Sequence, residues 1–116
     1  MFVLKPEQLT VLGERSFAQR FREVLVEAYP ARAGRIPPSE LEAQILKQAR
    51  NAEEYGLLSE QPVATFVMTA WLLGPDFDEK IPAVQEQLSS NRLTENEKAE
   101  WLERFSVLLL QTLEKR

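Results

Sequence analysis

The chain has 116 residues, of which 44% are hydrophobic and 28% charged, with a formal net charge of −4. These values are typical of one globular domain and not of a disordered chain. There is no cysteine and no histidine, which excludes disulfides, thiolate ligands and the commonest general base, so we expect no enzyme, no cofactor and no metal site.

The first predicted helix covers residues 5–29. Pro6 falls in its first turn, where the missing N–H costs nothing. Pro30 stops it, because the residue before a proline is pushed out of the helical conformation. Gly13 weakens the helix near its start and is a possible break. Residues 31–38 contain a glycine and two prolines and are predicted to form a loop.

The second predicted helix covers residues 40–55. Ser39 is its candidate N-cap, and Glu42, three residues further on, would complete a capping box. Gly56 is predicted to end it as a left-handed cap, with Leu57 folding back onto the last turn in a Schellman motif.

The third predicted helix, residues 60–73, is the most apolar segment of the chain. One face carries apolar residues at helical spacing, namely Val63, Phe66, Val67, Ala70 and Trp71. Its other faces are also largely apolar, so it has to be surrounded by other elements. Ser59 is predicted to cap it and Gly74 to end it.

A short helix is predicted over residues 81–88. The turn before it contains Phe77, which is expected to be tucked under the helix. Asp76, Asp78 and Glu79 resemble a cation loop only briefly, because a calcium loop needs oxygen ligands spread over about twelve residues. The favoured role is capping, with Asp76 or Asp78 accepting the free N–H groups of the short helix.

The last predicted helix covers residues 94–113, opened by a capping box of Thr94 and Glu97. No segment alternates as a strand would. We therefore predict an all-α fold, a single domain over residues 1–116, with about five helices packed around the apolar helix at 60–73.

Acidic residues are concentrated in the middle of the chain, since residues 51–79 contain six acidic residues and no basic one. Nucleic acid is an improbable partner for such a surface. A basic protein surface is favoured, although the charge could serve solubility alone. Glu53 and Glu54 with Glu60 could form a carboxylate pair, but nothing supplies a nucleophile or an oxyanion donor.

Arginines make one basic region, formed by Arg32 and Arg35 with Arg20 and Arg22 nearby in sequence. An anion or an acidic partner could dock there. The alternative is an ordinary loop with solubilising charges.

The ends of the third helix and the last helix carry more apolar residues than a single small core is expected to bury. The candidates are Tyr55, Leu57, Leu58, Phe77, Trp101 and Leu108. Exposed together, they would mark a protein-binding surface; otherwise they complete the core.

Several short motifs resemble a group of small helical bacterial proteins. Residues 52–57 (AEEYGL) match an A-x-x-Y-G-(I/L) helix break, residues 59–66 match S/T-E-x-x-V-x-x-(F/Y), and residues 74–78 match G-x-x-F-D. The opening, residues 2–8, is also similar. The tryptophan that often follows the F-D turn in that group is absent from residues 79–83.

Proteins of this group are typically encoded beside type VI secretion genes. The resemblance implies a cytoplasmic adaptor or co-chaperone that binds a secretion effector or its chaperone, with no catalytic residues, no nucleic-acid partner and no membrane partner. The alternative is an immunity protein that binds and neutralises a toxin. The expected partner-binding residues are Glu53, Glu54, Tyr55, Leu57, Leu58, Phe77, Asp78 and Trp101.

Overall fold

The computed structural model describes residues 11–114, and the side chains of residues 15–113. All regular secondary structure in these residues is helical, which confirms the predicted all-α class. The described residues form seven helices instead of about five, because two segments predicted as loop and turn form single four-residue helical turns. The helices are α1 Val11–Ala28, α2 Pro30–Ala33, α3 Pro38–Glu54, α4 Glu60–Leu73, α5 Phe77–Lys80, α6 Pro82–Leu88 and α7 Glu95–Glu114.

Helix α1 runs without interruption through Gly13, so the possible break there does not occur. The predicted start of this helix at Pro6 lies outside the described residues. α1 ends at Ala28, shortly before Pro30, as predicted. Pro30 then begins α2, because its fixed φ suits the first position of a helix and its missing N–H is not needed there.

Helix α3 begins two residues earlier than predicted. Pro38 occupies the first turn, Pro37 is the N-cap, and no side chain caps the helix. Ser39 lies inside the helix, and the Glu42 carboxylate instead accepts a hydrogen bond of 2.6 Å from Arg22 Nε. The predicted capping box is therefore wrong, since proline again sets the first turn and Glu42 has a cationic partner on α1.

Helix α4 has the predicted bounds. It begins after the N-cap Ser59 and ends at Gly74, whose φ of 115° few other residues adopt. All five residues of its predicted apolar face are buried. α4 lies against α3 on one side and α7 on another, and it also contacts α5.

The expected aspartate cap after α4 is absent. Asp76 is the N-cap of α5 but makes no side-chain cap bond, and Asp78 lies within α5. α6 begins at Pro82, one residue later than predicted. Phe77 is buried, as expected of a residue tucked beneath this segment.

The capping box at the start of α7 is confirmed. The Thr94 N–H donates to Glu97 Oε1 at 2.9 Å, and the Glu97 N–H donates to Thr94 Oγ1 at 3.2 Å. The last turns of α7 extend beyond the core, where Leu113 is 54% exposed. In the described part of the chain, no helix is both long enough and apolar enough to cross a membrane.

Candidate functional site

The break between α3 and α4 is a Schellman motif, as predicted. Gly56 has a φ of 82°, its N–H donates to the Glu53 carbonyl at 2.9 Å, and the Leu57 N–H donates to the Ala52 carbonyl at 3.1 Å. Leu57 is fully buried, which is the hydrophobic contact that usually accompanies this motif. The motif therefore sends Leu57 into the core, while Glu53 and Glu54 remain partly or fully exposed.

The first turns of α7 hold this break in place. Glu95 Oε1 accepts the N–H groups of Leu58 and Ser59 at 2.8 and 2.9 Å, and Glu95 Oε2 accepts the Ser59 hydroxyl at 2.9 Å. Lys98 Nζ donates to the Tyr55 carbonyl at 2.8 Å. The Ser59 side chain therefore does not cap α4 as predicted, because its hydroxyl donates to Glu95.

These contacts lower the pKa of Glu95. Burial of the carboxylate favours its neutral form, but the N–H groups of Ser59 and Leu58 and the Ser59 hydroxyl outweigh that effect and hold the pKa below its ordinary value. Glu95 therefore remains an acceptor at neutral pH.

Tyr55 joins the break to α5. Its hydroxyl donates to Asp78 Oδ2 at 2.7 Å, and its ring lies 5.9 Å from that of Phe66, which in turn lies 5.0 Å from Phe77. Burial, followed by the Asp78 carboxylate, raises the pKa of Tyr55 above its ordinary value. The phenol therefore stays protonated and donates its hydrogen bond to Asp78.

The structure divides the eight predicted partner-binding residues into two groups. Leu57, Phe77 and Asp78 are buried and present little surface to a partner, so Leu57 and Phe77 follow the alternative in which they complete the core. The other five retain accessible surface: Glu54 is exposed, and Glu53, Tyr55, Leu58 and Trp101 are partly exposed. We call the four accessible residues at the break, Glu53, Glu54, Tyr55 and Leu58, the break surface.

A cleft of about 630 Å³ opens beside the break surface. Glu54 and Tyr55 form one side, the first turns of α7 contribute Glu95 and Lys98, and the segment between α6 and α7 closes the other side. Its lining is mostly polar and comprises Glu54, Tyr55, Gly56, Leu88, Ser89, Ser90, Asn91, Leu93, Glu95 and Lys98.

An apolar stripe follows the break along α7. Trp101 and Phe105 are stacked, with ring centroids 5.0 Å apart and planes inclined by 8°. Leu108, one turn further on, is 63% exposed. The spacing i, i+4, i+7 puts the three on one side of the helix, and we call them the α7 stripe. Phe105 is partly buried, so it contacts the core and the stripe at once.

A second cleft lies among α1, α2, α3 and α4, with a volume of about 340 Å³. Arg32 stands at its mouth, where its guanidinium Cζ lies 3.7 Å from the ring centroid of Trp71 and Nη1 donates to the Trp71 carbonyl at 2.7 Å. The other arginines of the predicted basic region do not all join it, since Arg20 pairs with Glu60 and Arg22 with Glu42, each at 2.6 Å.

Carboxylates do not cluster at either cleft. Glu60 is paired with Arg20, so it does not join Glu53 and Glu54 in an acid/base site. Among the described residues, no group of three acidic side chains is placed to hold a metal ion.

Comparison with known proteins identifies no relative: no family model, no curated protein and no solved structure matches this chain.

Proposed function

We propose that this protein is a non-enzymatic, cytoplasmic protein-binding domain, an adaptor or co-chaperone that binds a type VI secretion effector or the chaperone of that effector. The observation that carries the proposal is the adjacency of the break surface and the α7 stripe. The break is bonded to Glu95 and Lys98, and Trp101 follows Lys98 by three residues, about 4.5 Å along the helix axis.

Charge favours a basic partner. Glu53 and Glu54 stand at the break, and two further exposed glutamates, Glu97 and Glu100, lie four residues and one residue before Trp101 on α7. Arg104 is the basic residue beside the stripe, but acidic side chains are in excess around it. Exposed apolar and aromatic side chains with an excess of one sign of charge nearby are typical of an interface that selects a partner of opposite charge. The partner surface is accordingly apolar at its centre and basic at its rim.

The break surface is already ordered before any partner binds. Its backbone is set by the Schellman bonds and by the two N–H groups, of Leu58 and Ser59, that donate to Glu95 Oε1. A preorganised surface loses less conformational entropy on association, which favours affinity. The preorganised backbone supports a binding role for the break surface, three residues of which lie in the motif that resembles the secretion-associated group.

The proposal includes one helical domain organised around α4. Phe66 and Val63 of α4 are fully buried, and α4 contacts α3, α5 and α7. In this arrangement α4 is the scaffold, and the two surfaces that bind the partner belong to the ends and outer faces of α3 and α7.

The test is capture of the tagged protein from its native cell, comparing the wild type with a charge-reversal variant. Glu53→Lys with Glu54→Lys changes the break surface. Glu23→Lys with Glu27→Lys makes the same change in charge on α1, where both glutamates are exposed. A secretion effector or effector chaperone recovered in stoichiometric amount, weakened at least tenfold by the first pair only, supports the proposal.

Two results would overturn it. Recovery of the protein without any partner would rule out the adaptor function. Equal capture of the partner by both variants would show that the break surface is not part of the interface. Co-expression with a captured effector then separates the roles. An adaptor raises the amount of effector or its delivery, whereas protection of the cell from that effector's toxicity would identify an immunity protein instead.

A further inference from the structure

The cleft among α1, α2, α3 and α4 has an apolar floor. Leu25 comes from α1, Leu41 and Ile45 from α3, and Val67 and Ala70 from α4, and all five belong to the core. The Trp71 ring forms part of the wall. At about 340 Å³ the cleft lies at the small end of the range of ligand sites, so it would hold one compact molecule.

The mouth of this cleft is cationic. Arg32 and Lys47 line it, and no carboxylate is present among the described residues that do so. This arrangement is unusual in a chain with a net charge of −4. Two uncompensated cations beside an apolar floor would be complemented by one anionic group carried on an apolar body.

Arg32 is fixed in a geometry that leaves donors available. Its guanidinium stacks on Trp71 and gives one N–H to the Trp71 carbonyl. A guanidinium has five N–H donors, so four remain, enough for a bidentate bond to a carboxylate. Lys47 is exposed and makes no hydrogen bond or ion pair with the rest of the described chain.

Neutral polar groups at the cleft are few. The Gln48 amide is already used, since Nε2 donates to the Pro75 carbonyl at 3.1 Å and Oε1 accepts from Asn51 at 3.3 Å. A peptide would bring several backbone amides that need partners on binding, and the neutral groups left for them in the described lining are the Gln44 amide and the Trp71 Nε1–H. A small ligand with a single polar end is better matched.

We propose that this cleft binds a small apolar monocarboxylate, with the hydrocarbon on the floor and the carboxylate at Arg32. This site is separate from the surface proposed to bind the protein partner. Arg32 and Lys47 recognise the negative charge of the ligand, and the small volume of the cleft limits the length of its hydrocarbon.

Octanoate is the probe, and Trp71 provides the signal. The chain has two tryptophans, so Trp101→Phe leaves Trp71 as the sole emitter at the wall of the cleft. We expect a saturable change in fluorescence and one-to-one binding by calorimetry. Octanol tests the contribution of the charge and should bind at least tenfold more weakly, and octylamine should not bind.

Matched variants locate the site. Arg32→Gln should weaken octanoate binding at least tenfold, whereas Arg35→Gln, three residues away and outside the cleft lining, should leave it unchanged. Lys47→Gln provides a second test should Arg32→Gln lower stability, and it should weaken binding severalfold. A urea titration of each variant separates loss of the fold from loss of the site.

The proposal is wrong if octanoate gives no saturable signal, if octanol binds equally well, or if neither Arg32→Gln nor Lys47→Gln changes the affinity. Binding of a short acidic peptide at the same cleft, with no binding of octanoate, would also overturn it, because the occupant would then be a protein segment.

Discussion

Replacement of Glu95 tests how the break is held. Glu95→Ala removes an acceptor from three hydrogen bonds of 2.8–2.9 Å and leaves the N–H groups of Leu58 and Ser59 without a protein partner. A hydrogen bond to a charged group contributes about 1.5–3 kcal/mol, but these partly exposed amides can recover some of that from water, so we expect a total loss of about 3 kcal/mol. Glu95→Gln retains an acceptor and should cost about 1 kcal/mol.

Urea unfolding measures the effect. With a slope of about 1.5 kcal/mol per M, these losses lower the midpoint by about 2 M for Glu95→Ala and about 0.7 M for Glu95→Gln. The control is Glu103→Ala, an exposed glutamate on the same helix, whose effect should stay within about 0.5 kcal/mol. A midpoint for Glu95→Ala equal to that of Glu103→Ala would refute the reasoning.

The pH dependence gives an independent check on Glu95. Its pKa is lowered in the folded protein from an ordinary value of 4.5, so its contribution to stability is complete well above pH 4.5 and is lost as the pH falls through the folded pKa. The difference in unfolding free energy between the wild type and Glu95→Gln should therefore be full at pH 7 and shrink below pH 4.5. A difference that stays constant down to pH 2.5 would contradict the bonding role of the carboxylate.

Three further substitutions test other features by the same unfolding measurement. Gly56→Ala should cost about 1–2 kcal/mol, because φ is positive while the space around an added Cβ is open; an unchanged midpoint would contradict this. Tyr55→Phe leaves the buried Asp78 carboxylate without its phenol partner and should cost about 2 kcal/mol. Adding Asp78→Asn should restore part of that loss, and full stability of Tyr55→Phe alone would show the bond to be unimportant. Trp71→Phe removes a buried N–H that has no partner among the described residues, and this gain should offset the lost volume and the weaker stacking with Arg32 to within about 1 kcal/mol; a loss above 2 kcal/mol would show that it does not.

Features determined by neighbouring residues could be predicted from the sequence. The Schellman motif at Gly56, the capping box at Thr94 and the end of α4 at Gly74 depend on residues within a few positions of one another. The failed cap at Ser39 is also local, because two prolines compete with it for the helix start.

Features that join distant residues could not be predicted. Glu95 lies 37 positions from Leu58, Tyr55 lies 23 from Asp78, and Arg32 lies 39 from Trp71. The periodic spacing of apolar residues does not indicate which distant side chains form such hydrogen bonds. The sequence gives only the residue types, and packing decides the partners.

Leu57 and Phe77 were assigned to the partner-binding surface although the sequence also indicated that each is buried. Leu57 was expected both to fold back in the Schellman motif and to face a partner. The motif requires an apolar contact with the preceding helix, and the structure shows Leu57 fully buried. A residue at this position of a Schellman motif is therefore buried and does not face a partner.

The bonds from Glu95 also affect the order in which the protein can fold. α3, its glycine cap and α4 can form from contacts close in sequence, but the amides of Leu58 and Ser59 reach their acceptor only after a loop of more than 30 residues has closed. Protection of these two amides from hydrogen exchange therefore reports the docking of α7, not the formation of the helices that they join.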